Sequence, residues 1–151
     1  MTTQIMSTAT TKVYIAVGQT PATNNKAGYD ALSWTLIPDV TSIGTLGGQN
    51  SVIQHIPVDD AFVYKVAGST NYGTLELQGA RTDAAALDDM RTAFASRLAT
   101  PFKVVYPAKL GETDGFMAIV TNVSTNAGNA DQILGMNLTV DVTGEIITFA
   151  T

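Results

Sequence analysis

Cysteine is absent from this 151-residue chain, which excludes disulfides, zinc–thiolate centres and thiol nucleophiles and leaves stability to packing alone. Histidine occurs once, as His55, in an apolar strand-like stretch, and no Gly-x-Ser-x-Gly elbow stands anywhere in the chain to give it a nucleophile. A solvent-facing or interface histidine is the expectation. Charge is sparse as well: 14% of residues are Asp, Glu, Lys or Arg, against about 25% in ordinary soluble domains. With 45% hydrophobic residues, the surface must be covered by Thr, Ser, Asn, Gln, Gly and Ala or by neighbouring subunits, whose interface cores are depleted of charge.

Basic clusters are missing too. The five Lys and three Arg are scattered singly between Lys12 and Lys109, and the net charge is −5. A tight nucleic-acid binder needs a basic patch to neutralise phosphates, so that class is excluded. Met1 to Thr11 holds neither a basic leader nor the apolar run of a secretion signal, and no stretch approaches the roughly 18 consecutive apolar residues of a membrane span. A soluble chain with no membrane partner is expected.

Acidic residues do not converge on chemistry either. Asp59-Asp60 and Asp88-Asp89 are adjacent pairs, whose side chains diverge on a strand and lie about 100° apart on a helix. Gly44 to Asn50 carries three Gly within five residues, yet Gln49, Asn50 and Ser51 stand where a phosphate-cradling loop requires Lys and Ser or Thr before a helix. Glu76, Asp141 and Glu145 are the acids on clearly patterned strands, and nothing marks them as a paired-carboxylate site. No cofactor, metal site or catalytic residue is expected, and the chain reads as a non-enzyme.

What is present is strand pattern. Lys12 to Val17 alternates as a first strand, with Val13, Ile15 and Val17 on one face. Gly18 to Asp30 is punctuated by Gly, Pro and Asn-Asn and reads as a loop. Trp34 to Ile37 and Val40 to Ile43 are extended and broken by Pro38-Asp39, which places them at an edge or bend. Val52 to Ile56 and Phe62 to Ala67 follow. In Tyr72 to Ala80, Leu75 and Leu77 face one way while Thr74, Glu76 and Gln78 face the other. Then comes the one helix pattern, Thr82 to Leu98, with Thr82 or Asp83 available as a cap, Leu87, Met90, Phe94 and Leu98 as its apolar stripe, and Pro101 to stop it. Phe102 to Tyr106, Phe116 to Ser124 and Ile133 to Phe149 complete the strands. The last run exceeds the usual 3 to 10 residues, alternates Met136, Leu138, Val140 and Val142 with Asn137, Thr139, Asp141 and Thr143, and contains Gly144 as a bend or bulge. A small domain has difficulty covering such a ribbon, so it is expected to extend into an intersubunit sheet. One mainly β domain over 1–151 with one flanking helix is the expected class, a β-sandwich or barrel.

The order of these pieces resembles the tail tube proteins of long non-contractile-tailed bacteriophages over most of the chain, from about Ala31 to Ile147. The pieces are Trp34-Thr35-Leu36-Ile37-Pro38-Asp39-Val40-Thr41-Ser42-Ile43-Gly44, Ile56-Pro57-Val58-Asp59-Asp60, Lys65-Val66-Ala67-Gly68, Tyr72-Gly73-Thr74-Leu75-Glu76-Leu77-Gln78-Gly79, the Asp-initiated helix, Phe102-Lys103-Val104-Val105-Tyr106-Pro107 and Leu138-Thr139-Val140-Asp141-Val142-Thr143-Gly144. The resemblance implies a β-sandwich with a flanking helix whose copies form six-fold rings, each lending strands to a continuous inner barrel, with stacked rings making the pipe for genome passage. It implies tail-tip, tape-measure and terminator proteins as partners, DNA passing without specific binding, and a place in the virion tail after assembly in the bacterial cytoplasm. Carried onto this sequence, inter-ring contacts fall on a loop, 44–51, through Gly44, Leu46, Gly47, Gly48, Gln49, Asn50 and Ser51, and on an arm at 1–11. The polar strand residues Thr74, Glu76, Gln78, Thr139 and Asp141 are expected to face the lumen. A capsid-decorating or adhesion-type β-sandwich module is the alternative.

Overall fold

In a computed structural model, which describes residues 4–151, the chain is built from β1 (Lys12–Ile15), α1 (Lys26–Asp30), β2 (Thr35–Ile37), β3 (Val40–Ile43), β4 (Gln49–His55), β5 (Tyr64–Asn71), β6 (Thr74–Ala80), α2 (Ala85–Ser96), β7 (Thr100–Val105), β8 (Glu112–Asn126) and β9 (Gly135–Ala150). Seven strands form one antiparallel sheet in the order β2-β1-β7-β8-β9-β6-β3, and β4 and β5 pair separately as a hairpin.

The curl of the large sheet follows from its connectivity. β2 and β3 are neighbours in sequence, joined only by Pro38 and Asp39, yet they form its opposite edges. Laid flat, seven strands at about 4.8 Å spacing would separate the edges by roughly 29 Å. Three Cα–Cα steps from Ile37 to Val40 reach at most about 11 Å. The sheet must therefore roll up until its edges nearly meet, giving a half-barrel. Asp39 takes a left-handed conformation, φ 55°, and its carbonyl accepts from Ala80 N–H at 3.0 Å, tying the corner to β6.

Inside the curl lies one core. Val13 and Ile15 of β1, Phe102 and Val104 of β7, Phe116, Ala118 and Val120 of β8, Leu138 and Val140 of β9 and Leu75 and Leu77 of β6 are all buried in a single cluster. Strands from both ends of the sheet share it, which only the concave side permits. Phe102 and Phe116 stack at 5.9 Å between ring centroids.

The flanking helix is present as α2, shorter than the Thr82 to Leu98 span and set differently. Its N-cap is Ala84, which makes no side-chain capping bond, and its C-terminus is closed by Arg97 in a left-handed conformation, φ 60°. Pro101 lies beyond, already inside β7. The buried residues are Ala86, Leu87, Met90 and Ala93, whereas Phe94 and Leu98 are exposed. Two alanines carry the contact because their small side chains let the helix backbone approach β8 closely, while Phe94, next to the buried Ala93, faces solvent and Leu98 lies beyond the end of the helix.

The stretch from Gly18 to Asp30 contains a turn of helix, α1, capped by Asn25, whose side chain accepts from Gly28 N–H at 3.0 Å. This helix seats Tyr29, fully buried, beside Trp34 and Phe149. β8 and β9, of 15 and 16 residues, pair along almost their whole length. Their register shifts beside Gly144, which has φ 82°.

Candidate functional site

Among the described residues, no cleft gathers reactive groups. His55 lies exposed on β4, Asp88 makes an exposed 4.0 Å ion pair with Arg91, and Asp60 accepts from Phe62 N–H at 3.1 Å and from the Tyr64 hydroxyl. That phenol, and secondarily the Phe62 amide, hold the Asp60 carboxyl below its ordinary pKa. Among the described residues, no group of three or more His, Cys, Asp or Glu could hold a metal ion, and no helix is long and apolar enough to cross a membrane. Lys103, its pKa lowered by burial against the opposing pull of Asp30, sits 4.8 Å from the Tyr14 ring centroid and 4.9 Å from that of Trp34. This is a cation sandwiched in place rather than offered to a ligand.

What the fold presents instead are surfaces. The first is the convex face of β6, β9 and β8. Register places Thr74 opposite Asp141, Glu76 opposite Thr139 and Gln78 opposite Asn137, and continues through Asn122 and Ser124 on β8. The Thr74 hydroxyl bonds the Asp141 carboxylate. All are exposed or half-buried, and none is Lys or Arg. The five expected lumen residues are thus brought together on one polar face, opposite the core residues Leu75, Leu77, Leu138 and Val140.

The second is the run from Gly44 to Ser51. The structure divides it: Gly44 to Gly48 is irregular chain, anchored by Gly44 N–H donating to the Glu76 carbonyl at 2.8 Å, while Gln49, Asn50 and Ser51 belong to β4. The expected loop over 44–51 is therefore shorter at its far end, because Gln49 and Asn50 pair with Asn71 and Thr70. Of the expected arm at 1–11, residues 1–3 lie outside the described residues, and 4–11 precede β1 without a regular element, with Ile5 fully exposed.

The third surface was missed by sequence reasoning. The β4–β5 hairpin and its connecting loop expose Val52, Ile53, Ile56, Val58, Phe62, Val63, Tyr64 and Val66. One face carries Ile53, Val66 and Tyr64, the other mixes Val52 and Ala67 with Gln54 and Lys65, and all of these side chains are exposed. The signal was readable: Val52-Ile53 and Phe62-Val63-Tyr64 are consecutive apolar residues without alternation, as in a strand covered on both sides. A two-stranded ribbon alone is marginal in water, and a contiguous apolar patch of this kind marks an interaction site.

At the base of this hairpin is a cavity of about 310 Å³, lined by Ile43, Leu46, Val104, Tyr106 and Leu110 and by Met6, Ser7, Thr8 and Thr11 of the N-terminal segment. The Thr11 hydroxyl is buried there without a hydrogen-bond partner among the described residues. Tyr106, at its rim, donates to Asp114 at 2.7 Å. Burial first, and that bond second, keep its phenol protonated well above the ordinary range.

The curled half-barrel sheet with its two helices is a tail-tube-like fold, shared with components of phage-like tails. Among solved structures, the chain is similar to a component of the anti-feeding prophage baseplate, with a TM-score of 0.74, 16% identity and coverage of 99% of this chain and 98% of that one. A chain from the sheath/tube terminator of an extracellular contractile injection system, PVC, matches with a TM-score of 0.70 at 12% identity, covering 99% of this chain and 100% of that one. The SPP1 tail tube matches with a TM-score of 0.64 at 11% identity, covering 93% and 77%. No protein-family model and no curated protein matches the sequence.

Proposed function

We propose that this chain is a structural subunit of a phage-type tail tube, in which six copies close into a ring and rings stack into a conduit for DNA. The observation that carries the proposal is the apolar hairpin: in a fold shared with tube components, its large apolar side chains are exposed among the described residues. The polar face of Thr74, Glu76, Gln78, Thr139 and Asp141 supports the same reading. A wall without Lys or Arg gives passing DNA no counterion-release gain and so lets it slide. Gly44, Leu46, Gly47 and Gly48, with Gln49, Asn50 and Ser51 at the root of β4, are the proposed inter-ring contacts. The tube meets tail-tip, tape-measure and terminator proteins at its ends and bore, has no catalytic role, and belongs to the virion tail after assembly in the bacterial cytoplasm.

Negative-stain imaging of the concentrated protein, with sedimentation velocity, tests this. Six-fold rings and stacked tubes are the expected result. A monomer, or a small closed oligomer with no tendency to stack at the highest attainable concentration, overturns it and favours a decorating or adhesion module.

A further inference from the structure

Residues 4–11 run as a strap along the end of β7 and the chain that follows it, and the turn that ends the strap is built on an ill-suited residue. Thr11 N–H donates to the Thr8 carbonyl at 3.1 Å, closing a four-residue turn. Thr10, the third residue of that turn, has φ 72°, where such turns take Gly or Asn. A β-branched residue there is a steric outlier, because its Cβ crowds the backbone carbonyl. Nothing in the strap compensates. Its other hydrogen bond among the described residues is internal, Ala9 N–H to Ser7 Oγ at 3.1 Å, and residues 4–10 are all exposed.

The strap also fits loosely against the body. It borders the 310 Å³ cavity walled by Ile43, Leu46, Val104 and Leu110, and a second cavity, of about 330 Å³, opens between Ile5 and Met6 of the strap and the chain at Pro107, Ala108 and Lys109. The Thr11 hydroxyl is enclosed with no hydrogen-bond partner among the described residues. A buried hydroxyl without a partner is destabilising, and contact with water relieves it. One motion, a swing of residues 4–9 outward about Thr10, therefore relaxes the Thr10 backbone and hydrates Thr11 together. What the closed position keeps is cover over part of an apolar wall that adjoins the exposed hairpin.

We infer that residues 4–10 are a strained strap, closed over this cavity in the free subunit and released about Thr10 when copies associate, so that it restrains premature assembly. The inference rests on the tube reading above and adds to it a timing device within each chain.

Three substitutions at the exposed Thr10 test it, none of them touching the core. Thr10→Gly and Thr10→Asn accept the left-handed conformation and should favour the closed strap. Exchange of the Thr11 amide should slow about tenfold, and the lag before tubes appear, followed by light scattering at equal concentration, should lengthen. Asn is included because Gly also loosens the unfolded chain. Thr10→Pro cannot reach φ 72° and should release the strap, so that the Thr11 amide exchanges as in an unstructured peptide and the lag shortens. Lags that are equal across the variants, or ordered the opposite way, overturn the inference, as does Thr11 exchange that Thr10→Gly and Thr10→Asn leave unchanged. Tubes that still form in those cases keep the tube reading. Exchange in the expected order in a protein that never forms rings or tubes upholds the strap and overturns the tube reading instead.

Discussion

Thr74 and Asp141 face each other across the β6–β9 ladder, the threonine hydroxyl donating to the carboxylate on the convex polar face. The bond fixes the Asp141 side chain beside Glu76 and Thr139, so that this end of the face presents fixed acceptors and no cation. Replacing Glu76 and Asp141 together with Lys should leave the core untouched, since both side chains point away from it. DNA passage should slow markedly or stall. Genome ejection rates compared at equal tube assembly measure the effect, and unchanged rates would refute a lumenal position for this face.

Two glycines separate folding from assembly. Gly47 has no atom within 4 Å of a would-be Cβ and no positive φ, so Gly47→Asp should leave the urea midpoint unchanged while impairing ring stacking. Gly144 is also uncrowded but holds φ 82°, where a side chain costs about 1–3 kcal/mol. Gly144→Val should lower the unfolding free energy by that amount. Equal midpoints for the two variants would contradict the assignment.

Phe116 is fully buried and stacked on Phe102 at the centre of the curl. Phe116→Ala should cost about 3–5 kcal/mol in unfolding free energy, read by chemical denaturation of the unassembled protein. Phe94→Ala, at a half-exposed site on α2, should cost far less. The comparison checks that the core is built on the Phe102–Phe116 stack and not on the exposed end of the helix stripe.

Tyr64 sets the titration of Asp60. Because the phenol lowers the folded-state pKa of this carboxyl, the contact helps the hairpin above the ordinary value of 3.8 and is lost as pH falls through the lower, folded value. Tyr64→Phe should return Asp60 upward toward 3.8, as followed by carboxyl carbon shifts in an NMR titration. An Asp60 midpoint unmoved by the substitution would remove Tyr64 as the cause.

The strands were legible where one face is buried and the other wet. Leu75 and Leu77, and Met136 through Val140, alternate in sequence as they do in the sheet. The separation of β2 from β3 was not legible, since pairing across the sheet is decided by distant residues such as Val13 and Gly79 rather than by the local pattern. The helix stripe misled at Phe94 and Leu98 because the buried face is completed by the alanines Ala86 and Ala93 rather than by the larger apolar residues, and the helix ends at Ser96, before Leu98. α1 was hidden in polar punctuation, its one strong signal being Asn25 as a cap. Of the site, the polar face was readable from alternation, and the hairpin was missed because its exposed apolar side chains do not alternate cleanly with polar ones.

The two-residue junction at Pro38-Asp39 has a mechanical reading. By tying the margins of a seven-stranded sheet together, it removes the softest deformation such a sheet has, which is to uncurl. Any wall made from these copies would inherit its bore from a dimension locked inside each brick, and strain during use would be taken up at the joints between bricks.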